Sequence, residues 1–311
     1  EGAKGLARRV GIAEVIIGLT IVSLGTSLPE ILISAQSSWE AMKNPCAVGA
    51  TDCAADFALG NIYGSVLVQI TLILGIVVLI SPLEVRPAWI KRDGAMMFLA
   101  VIMLSMLVLV DGDLNRFEGG LLVLMYLLYM VYLIQNREKI RADEFEVIEE
   151  IRVETSGVLN WTTASYFSML VIGLGLAMFA SSKVVEAASS IAIELGVPSA
   201  AVGTTMSAIG TSVPELAVAI LAAKRSTGVA VGTLIGSNIT DPMFSVGIAA
   251  LVNPITVSNS GLFYELIMPA TVVCTAIALI FMWTDFKFNR PEGGILILCY
   301  LAFVALLYGA I

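Results

Sequence analysis

The sequence predicts an all-α membrane protein built from two inverted repeats, and three observations carry that prediction. The 311-residue chain is 58% hydrophobic and 14% charged, with mean hydropathy +0.92; so much apolar surface needs lipid as its solvent. The apolar residues run in long segments, without the alternation of a β-barrel. One stretch also occurs twice: Gly18-Leu-Thr-Ile-Val-Ser-Leu-Gly-Thr-Ser-Leu-Pro-Glu30 matches Gly203-Thr-Thr-Met-Ser-Ala-Ile-Gly-Thr-Ser-Val-Pro-Glu215.

Hydropathy predicts nine spans: 12–35, 59–80, 94–110, 117–134, 162–195, 199–223, 229–252, 262–283 and 291–309. Each is near or above the roughly 17–25 residues that cross the hydrocarbon as a helix. Orientation follows from the basic residues. With the N-terminus inside, Lys4, Arg8, Arg9, Arg86, Lys91, Arg92, Arg137, Lys139, Arg141, Arg152, Lys224, Arg225, Lys287 and Arg290 all fall inside, and only Lys43, Arg116 and Lys183 do not. The positive-inside rule therefore selects this topology. The net charge of -8 has the wrong sign for a nucleic-acid partner. Much of it lies in the loop 135–160, where Glu138, Asp143, Glu144, Glu146, Glu149, Glu150 and Glu154 face four basic residues. That composition reads as a solvated linker, with a regulatory cation-binding loop as the sharper alternative. No signal peptide or lipidation motif is visible.

The duplication extends along the chain. Glu30 pairs with Glu215 at an offset of 185, Gly60-Asn-Ile-Tyr-Gly-Ser65 with Gly232-Thr-Leu-Ile-Gly-Ser237 at 172, and Asn115-Arg-Phe-Glu-Gly-Gly120 with Asn289-Arg-Pro-Glu-Gly-Gly294 at 174. Spans one to four thus repeat as spans six to nine. Span five has no partner, because Glu1 already matches Glu186 inside the second repeat. Five helices per repeat are expected, with one more helix before Glu1. The organisation is residues 1–134 as the first repeat, 135–160 as the linker and 161–311 as the second repeat. Five spans separate the two motifs, so the repeats cross the membrane in opposite senses. Inverted repeats place a substrate site near the midplane, where the halves meet.

Buried carboxylates are costly, about 2.5–3.5 kcal/mol each on insertion scales. Two of them at equivalent positions point to a cation site. Pro29 and Pro214 each remove a backbone N–H just before a glutamate, which loosens the helix near Gly25 and Thr26, and near Gly210 and Thr211. Asn61, Ser65 and Gln69 share one helix face, and Thr233, Ser237 and Asp241 repeat it. Gly60 with Gly64, and Gly232 with Gly236, form small ridges that allow close backbone approach. Such an all-oxygen set suits Ca²⁺ or Na⁺. The chain has no histidine, which removes the commonest transition-metal ligand and most catalytic bases; an intramembrane hydrolase is disfavoured. A cation channel would need a continuous pore, which inverted repeats with kinked helices fit less well. Asp93 and Glu265, at equivalent positions, read as interfacial. Glu14, Glu186 and Glu194 read as solvated or capping residues. Cys46 and Cys53, in one outside loop, are either a disulfide or two unpaired residues. Cys274 and Cys299 read as packing residues.

At Gly25-Thr-Ser-Leu-Pro-Glu30, Gly210-Thr-Ser-Val-Pro-Glu215 and Gly232-Thr-Leu-Ile-Gly-Ser-Asn-Ile-Thr-Asp241 the chain resembles the cation/calcium exchanger superfamily, most of all its prokaryotic sodium/calcium branch. The resemblance covers essentially the whole chain. It implies ten helices, no enzymatic activity, no resident cofactor, and antiport of Ca²⁺ against Na⁺ across the cytoplasmic membrane by a protein that works as a monomer. By motif, Glu30 and Glu215 would hold Ca²⁺ with the carbonyls of Thr26 and Thr211. Ser27, Ser65, Ser212, Ser237 and Asp241, with carbonyls near Ser23 and Ala208, would match sodium ligands. Gln69 departs from the pattern: sodium-coupled relatives usually carry asparagine there. Exchange of H⁺ for Ca²⁺, with the glutamates carrying protons, and potassium-dependent exchange are the related alternatives. The resemblance also implies that span five, with the helix before Glu1, slides past the rest to switch access.

Overall fold

In the computed structural model, which describes residues 12–45, 53–145, 162–194, 197–257, 260–284 and 286–309, every predicted span is helical. Helix α1 is broken into Glu14–Thr26 and Leu28–Lys43, bent by 43°. Then come α2 (Ala54–Ile80), α3 (Pro87–Val110) and α4 (Arg116–Gln135), followed by α5 (Thr163–Glu194). Helix α6 is again a bent pair, Ala200–Thr211 and Val213–Ala223, at 42°. Helices α7 (Thr227–Val252), α8 (Phe263–Trp283) and α9 (Arg290–Gly309) complete the set. Among the described residues six helices are long and apolar enough to cross a membrane, and each bent pair qualifies as one further span. The protein is a multi-pass, all-α membrane protein.

Among the described residues four two-residue strands join the ends of the helices. β1 (Leu83–Glu84) pairs antiparallel with β4 (Lys287–Phe288), and β2 (Asp113–Leu114) pairs with β3 (Ile255–Thr256). Leu83 faces Phe288, and Leu114 faces Ile255. At offsets of 172 and 174 these two pairings are one contact made twice, each time between repeats.

Glycines show the same exchange. An added Cβ at Gly18 would lie 2.9 Å from the Val229 carbonyl oxygen and 3.0 Å from Gly232 backbone atoms; at Gly203 it would lie 2.6 Å from Phe57 O. The first repeat's α1 therefore crosses the second repeat's α7 at backbone contact, and α6 crosses α2 in the same way. Gly75 against Gly293 is likewise repeated as Gly247 against Gly119. Even the π-helical turns are duplicated: Gly18–Val22 with Gly203–Ser207, Val68–Ile73 with Asp241–Ser245, and Ile90–Gly94 with Phe263–Ile267.

Helix α5 stands apart. Its Tyr166 and Leu170 form a small buried cluster with Ile17 and Val22, separate from the main core, with Leu174 and Val218 packed against it. Aromatic and basic residues mark the two ends of the bundle. Lys43 lies over the Trp39 ring (5.4 Å) at the end reached by α1, while Arg86 over Trp89 (5.3 Å) and Lys91 over Trp283 (5.9 Å) lie at the opposite end.

Several expectations need correction. Helix α1 continues past Ala35 to Lys43, because its polar last turns carry no hydropathy signal. Helix α2 starts at Ala54, not Leu59; the buried Asp56 masks its first turn. The start of the supposed linker is a short helix, Arg137–Phe145, in which Ile140 is buried. Asp93, read as interfacial, is fully buried near the start of α3, beside Lys91 and Arg92. Arg92 donates to it from Nε (2.5 Å) and Nη2 (2.7 Å), and Tyr129 Oη donates at 2.7 Å. Its counterpart Glu265 is exposed, since Tyr264 stands where Arg92 would neutralise it. Glu14 accepts a hydrogen bond from Ser226, the N-cap of α7. Cys53 is disulfide-bonded; Cys46 lies outside the described residues, as do Lys4, Arg8, Arg9 and the acidic stretch from Glu146 to Glu154. The side chains of Glu186 and Glu194 also lie outside them. Cys274 is buried, Cys299 partly buried, and both are free thiols.

Candidate cation site

The breaks in α1 and α6 position the two glutamates. The backbone leaves helical geometry at Ser27 (φ −78°, ψ 4°) and at Ser212 (φ −84°, ψ 7°). Each new helix then starts with a proline at its second position, where the missing N–H has no helical acceptor to lose. Glu30 and Glu215 fall in the first turns of these new helices, at the positive end of each helix dipole. Both are fully buried, as are Ser23, Thr26, Ser27, Ser65, Gln69, Ala208, Thr211, Ser212, Ser237 and Asp241. All twelve predicted residues lie where α1, α2, α6 and α7 cross.

The contacts run across the repeats. Ser65 Oγ and Thr211 Oγ1 share a hydrogen bond at 3.3 Å, and their counterparts Ser237 Oγ and Thr26 Oγ1 share one at 3.4 Å. Thr211 stands beside Glu30, and Thr26 beside Glu215. The glutamates themselves differ. Ser212 donates to Glu30 Oε1 from the opposite repeat (3.4 Å), whereas Ser237 donates to Glu215 Oε1 from its own (3.3 Å). Gln69 and Asp241 occupy equivalent positions and meet: Gln69 Nε2 donates to Asp241 Oδ2 at 3.0 Å and to Ser212 Oγ at 3.5 Å. Ser27 lies beside the Asp241 carboxylate without a well-formed hydrogen bond.

The uncommitted atoms indicate what chemistry fits. Glu30 Oε2, Glu215 Oε2, Gln69 Oε1 and Ser27 Oγ have no hydrogen-bond partner. The described salt bridges pair no Lys or Arg with Glu30, Glu215 or Asp241. Buried anionic oxygens without donors are unfavourable unless a cation meets them. Among the described residues no three carboxylates or cysteines converge as a ready-made metal cluster, so a cation here must draw on hydroxyl and carbonyl oxygens as well. The carbonyls of Ser23 and Ala208 are already engaged. Ser23 O accepts from Ser27 N (2.8 Å) and Thr26 Oγ1 (3.1 Å); Ala208 O accepts from Ser212 N (3.1 Å) and Thr211 Oγ1 (3.2 Å). To ligate an ion, each would give up one of these bonds.

The sequence reading missed two buried residues around this set and a third at the start of α2. Ser207 Oγ donates to Asn61 Oδ1 at 2.8 Å, and Ser245 Oγ donates to Asp241 Oδ1 at 3.4 Å. Asp56 is fully buried in α2. None is matched by a like residue in the other repeat, where Val22, Ile73 and Gly228 stand instead.

The family described as sodium/calcium exchanger protein matches residues 1–135 and 165–309. The chain is 31% identical to the putative antiporter CaxA of Alkalimonas amylolytica over 99% of its own length and 92% of that protein's. It is 29% identical to the sodium/calcium exchanger MaX1 of Methanosarcina acetivorans over 99% and 93% of the two lengths. Among solved structures it is similar to the sodium-calcium exchanger NCX_Mj soaked with 2.5 mM Na⁺ and 0.1 mM Ca²⁺, at a TM-score of 0.74 and 26% identity, covering 98% of this chain and 90% of that one.

Proposed function

The chain belongs to the sodium/calcium exchanger family, and from that premise we propose that it is an antiporter of the cytoplasmic membrane that exchanges Ca²⁺ for Na⁺ by alternating access. Glu30 and Glu215 form the centre of its cation site. The observation that carries this reading is the pair of fully buried glutamate oxygens, Glu30 Oε2 and Glu215 Oε2, that make no hydrogen bond. Two carboxylates balance one Ca²⁺. The surrounding hydroxyls of Ser27, Ser65, Ser212 and Ser237, with Asp241, offer the mixed neutral and anionic oxygens that sodium accepts. Calcium and sodium then occupy overlapping positions, so one cargo excludes the other.

The test is calcium uptake into vesicles under imposed gradients. Uptake driven by an outward Na⁺ gradient, and competed by Na⁺ on the calcium side, is the expected result. Uptake that ignores Na⁺ and follows a pH gradient would transfer the assignment to H⁺/Ca²⁺ exchange, with the same carboxylates carrying the protons. Single-channel currents would instead make the protein a channel.

A further inference from the structure

Two buried serines above Glu30 belong to no contact described so far. Ser34 and Ser38 follow Glu30 at intervals of four residues, so the three side chains share one face of the second half of α1. At 1.5 Å per residue they climb about 12 Å from the glutamate towards the end marked by Trp39 and Lys43. Both side chains are shut off from solvent, at 0% and 1% exposure. Neither hydroxyl has a hydrogen-bond partner, not even the carbonyl one turn earlier that buried helical serines usually take. This part of α1 packs on the first half of α2 and the last turns of α7.

The inverted repeat supplies an internal control. The residues equivalent to Ser34 and Ser38 are Ala219 and Ala223, which descend from Glu215 towards the opposite side. Ser207 and Ser245, in the same half of the bundle as Ser34, are replaced by Val22 and Ile73 in the other. That other half does keep Ser23, Thr71 and Asn238, but each donates to a carbonyl of its own helix. The inner half does hold one free buried hydroxyl, Thr233 on α7, but no pair of free hydroxyls follows Glu215 along its own helix as Ser34 and Ser38 follow Glu30.

We propose that Ser34 and Ser38 are the steps of a cation path between the outer face and Glu30, and that the second half of α6 has no equivalent of them. The proposal rests on the antiporter reading and on the orientation set by the basic residues. A dehydrating Na⁺ or Ca²⁺ exchanges part of its water shell for these two hydroxyls before it reaches the carboxylate. On the inner side Ala219 and Ala223 leave the second half of α6 without such hydroxyls.

Sided kinetics test this. In right-side-out vesicles the double variant S34A/S38A should raise the apparent KM for outer Ca²⁺ about three- to tenfold, the worth of one or two polar contacts. In inside-out vesicles the KM for inner Ca²⁺ should not change. An unchanged outer KM, or equal changes on both faces, would overturn the proposal. A second measurement needs no exchange activity. In a background lacking Cys274 and Cys299, S34C and S38C should react with a membrane-impermeant thiol reagent added outside, and saturating Ca²⁺ should slow S34C the more. Failure of both cysteines to react from outside would also overturn the path. Wild-type vesicles that exchange no calcium, while both cysteines still react, would count against the antiporter reading and leave the path standing.

Discussion

Glu30 and Glu215 each have one carboxylate oxygen held by a serine and one left without a donor. Glutamine in place of either keeps the shape and removes the charge. We expect E30Q or E215Q to lower calcium uptake by about a hundredfold or more, because an unbalanced buried charge is worth roughly 3 kcal/mol. Uptake of labelled calcium per inserted protein measures this, and a variant working at wild-type rate would remove the glutamates from the site. Gln69 has a different role. Its amide donates to Asp241 at 3.0 Å, and Q69N would withdraw that donor by one methylene. Asp241 would then be freer to meet sodium, so Na⁺ should compete with Ca²⁺ at lower concentration; unchanged competition would mean that the contact does not tune the site. Residues of this kind were legible because they come in pairs: repetition picked out Thr26 with Thr211, Ser27 with Ser212, and Ser65 with Ser237. Ser34, Ser38, Ser207, Ser245 and Asp56 have apolar counterparts or glycine, so repetition could not find them. For Ser34 and Ser38 a four-residue spacing from Glu30 was the one available clue.

At the scale of elements, hydropathy located the nine long helices among the described residues, since long apolar length is what it measures. It could not see the polar turns from Gln36 to Lys43, the helix Arg137–Phe145 or the π-helical turns, which depend on hydrogen-bond register. The prolines did announce the breaks in α1 and α6, although the kink falls at Ser27 and Ser212, two residues earlier. Close helix crossings leave no room for a side chain: a Cβ at Gly64 would lie 2.2 Å from the Thr204 carbonyl oxygen. Gly64→Ala should cost about 1–3 kcal/mol of stability, seen as a lower Tm in detergent; an unchanged Tm would show that α2 and α6 can separate freely. Helix α5 offers the opposite case. Its contact with α1 includes Leu174 against Gly25, where a Cβ would meet Leu174 Cδ1 at 2.5 Å. If α5 slides to switch access, a disulfide in G25C/L174C should halt transport, and reduction should restore it. Full activity in the oxidised, cross-linked protein would assign the sliding to another element.

For the whole molecule, the two repeats are locked together by contacts that each occur twice. The ribbons β1–β4 and β2–β3 close opposite ends, and the glycine crossings of α1 on α7 and α6 on α2 close the middle. A scaffold with this symmetry can present the same site to either face, and only residues that break the symmetry distinguish the faces. Which face is which then rests on charge. Basic residues and tryptophans gather with Arg86, Lys91 and Lys224 at one end, while Lys43 with Trp39 marks the other. Asn44 and Lys224 are both exposed, at opposite ends of the bundle. In a background lacking Cys274 and Cys299, a cysteine at position 44 should be labelled by an impermeant maleimide in intact cells. One at position 224 should be labelled only after the membrane is opened. The reverse pattern would invert the molecule: Ser34 and Ser38 would then line the cytoplasmic approach, and the side on which calcium meets these two hydroxyls would change with them.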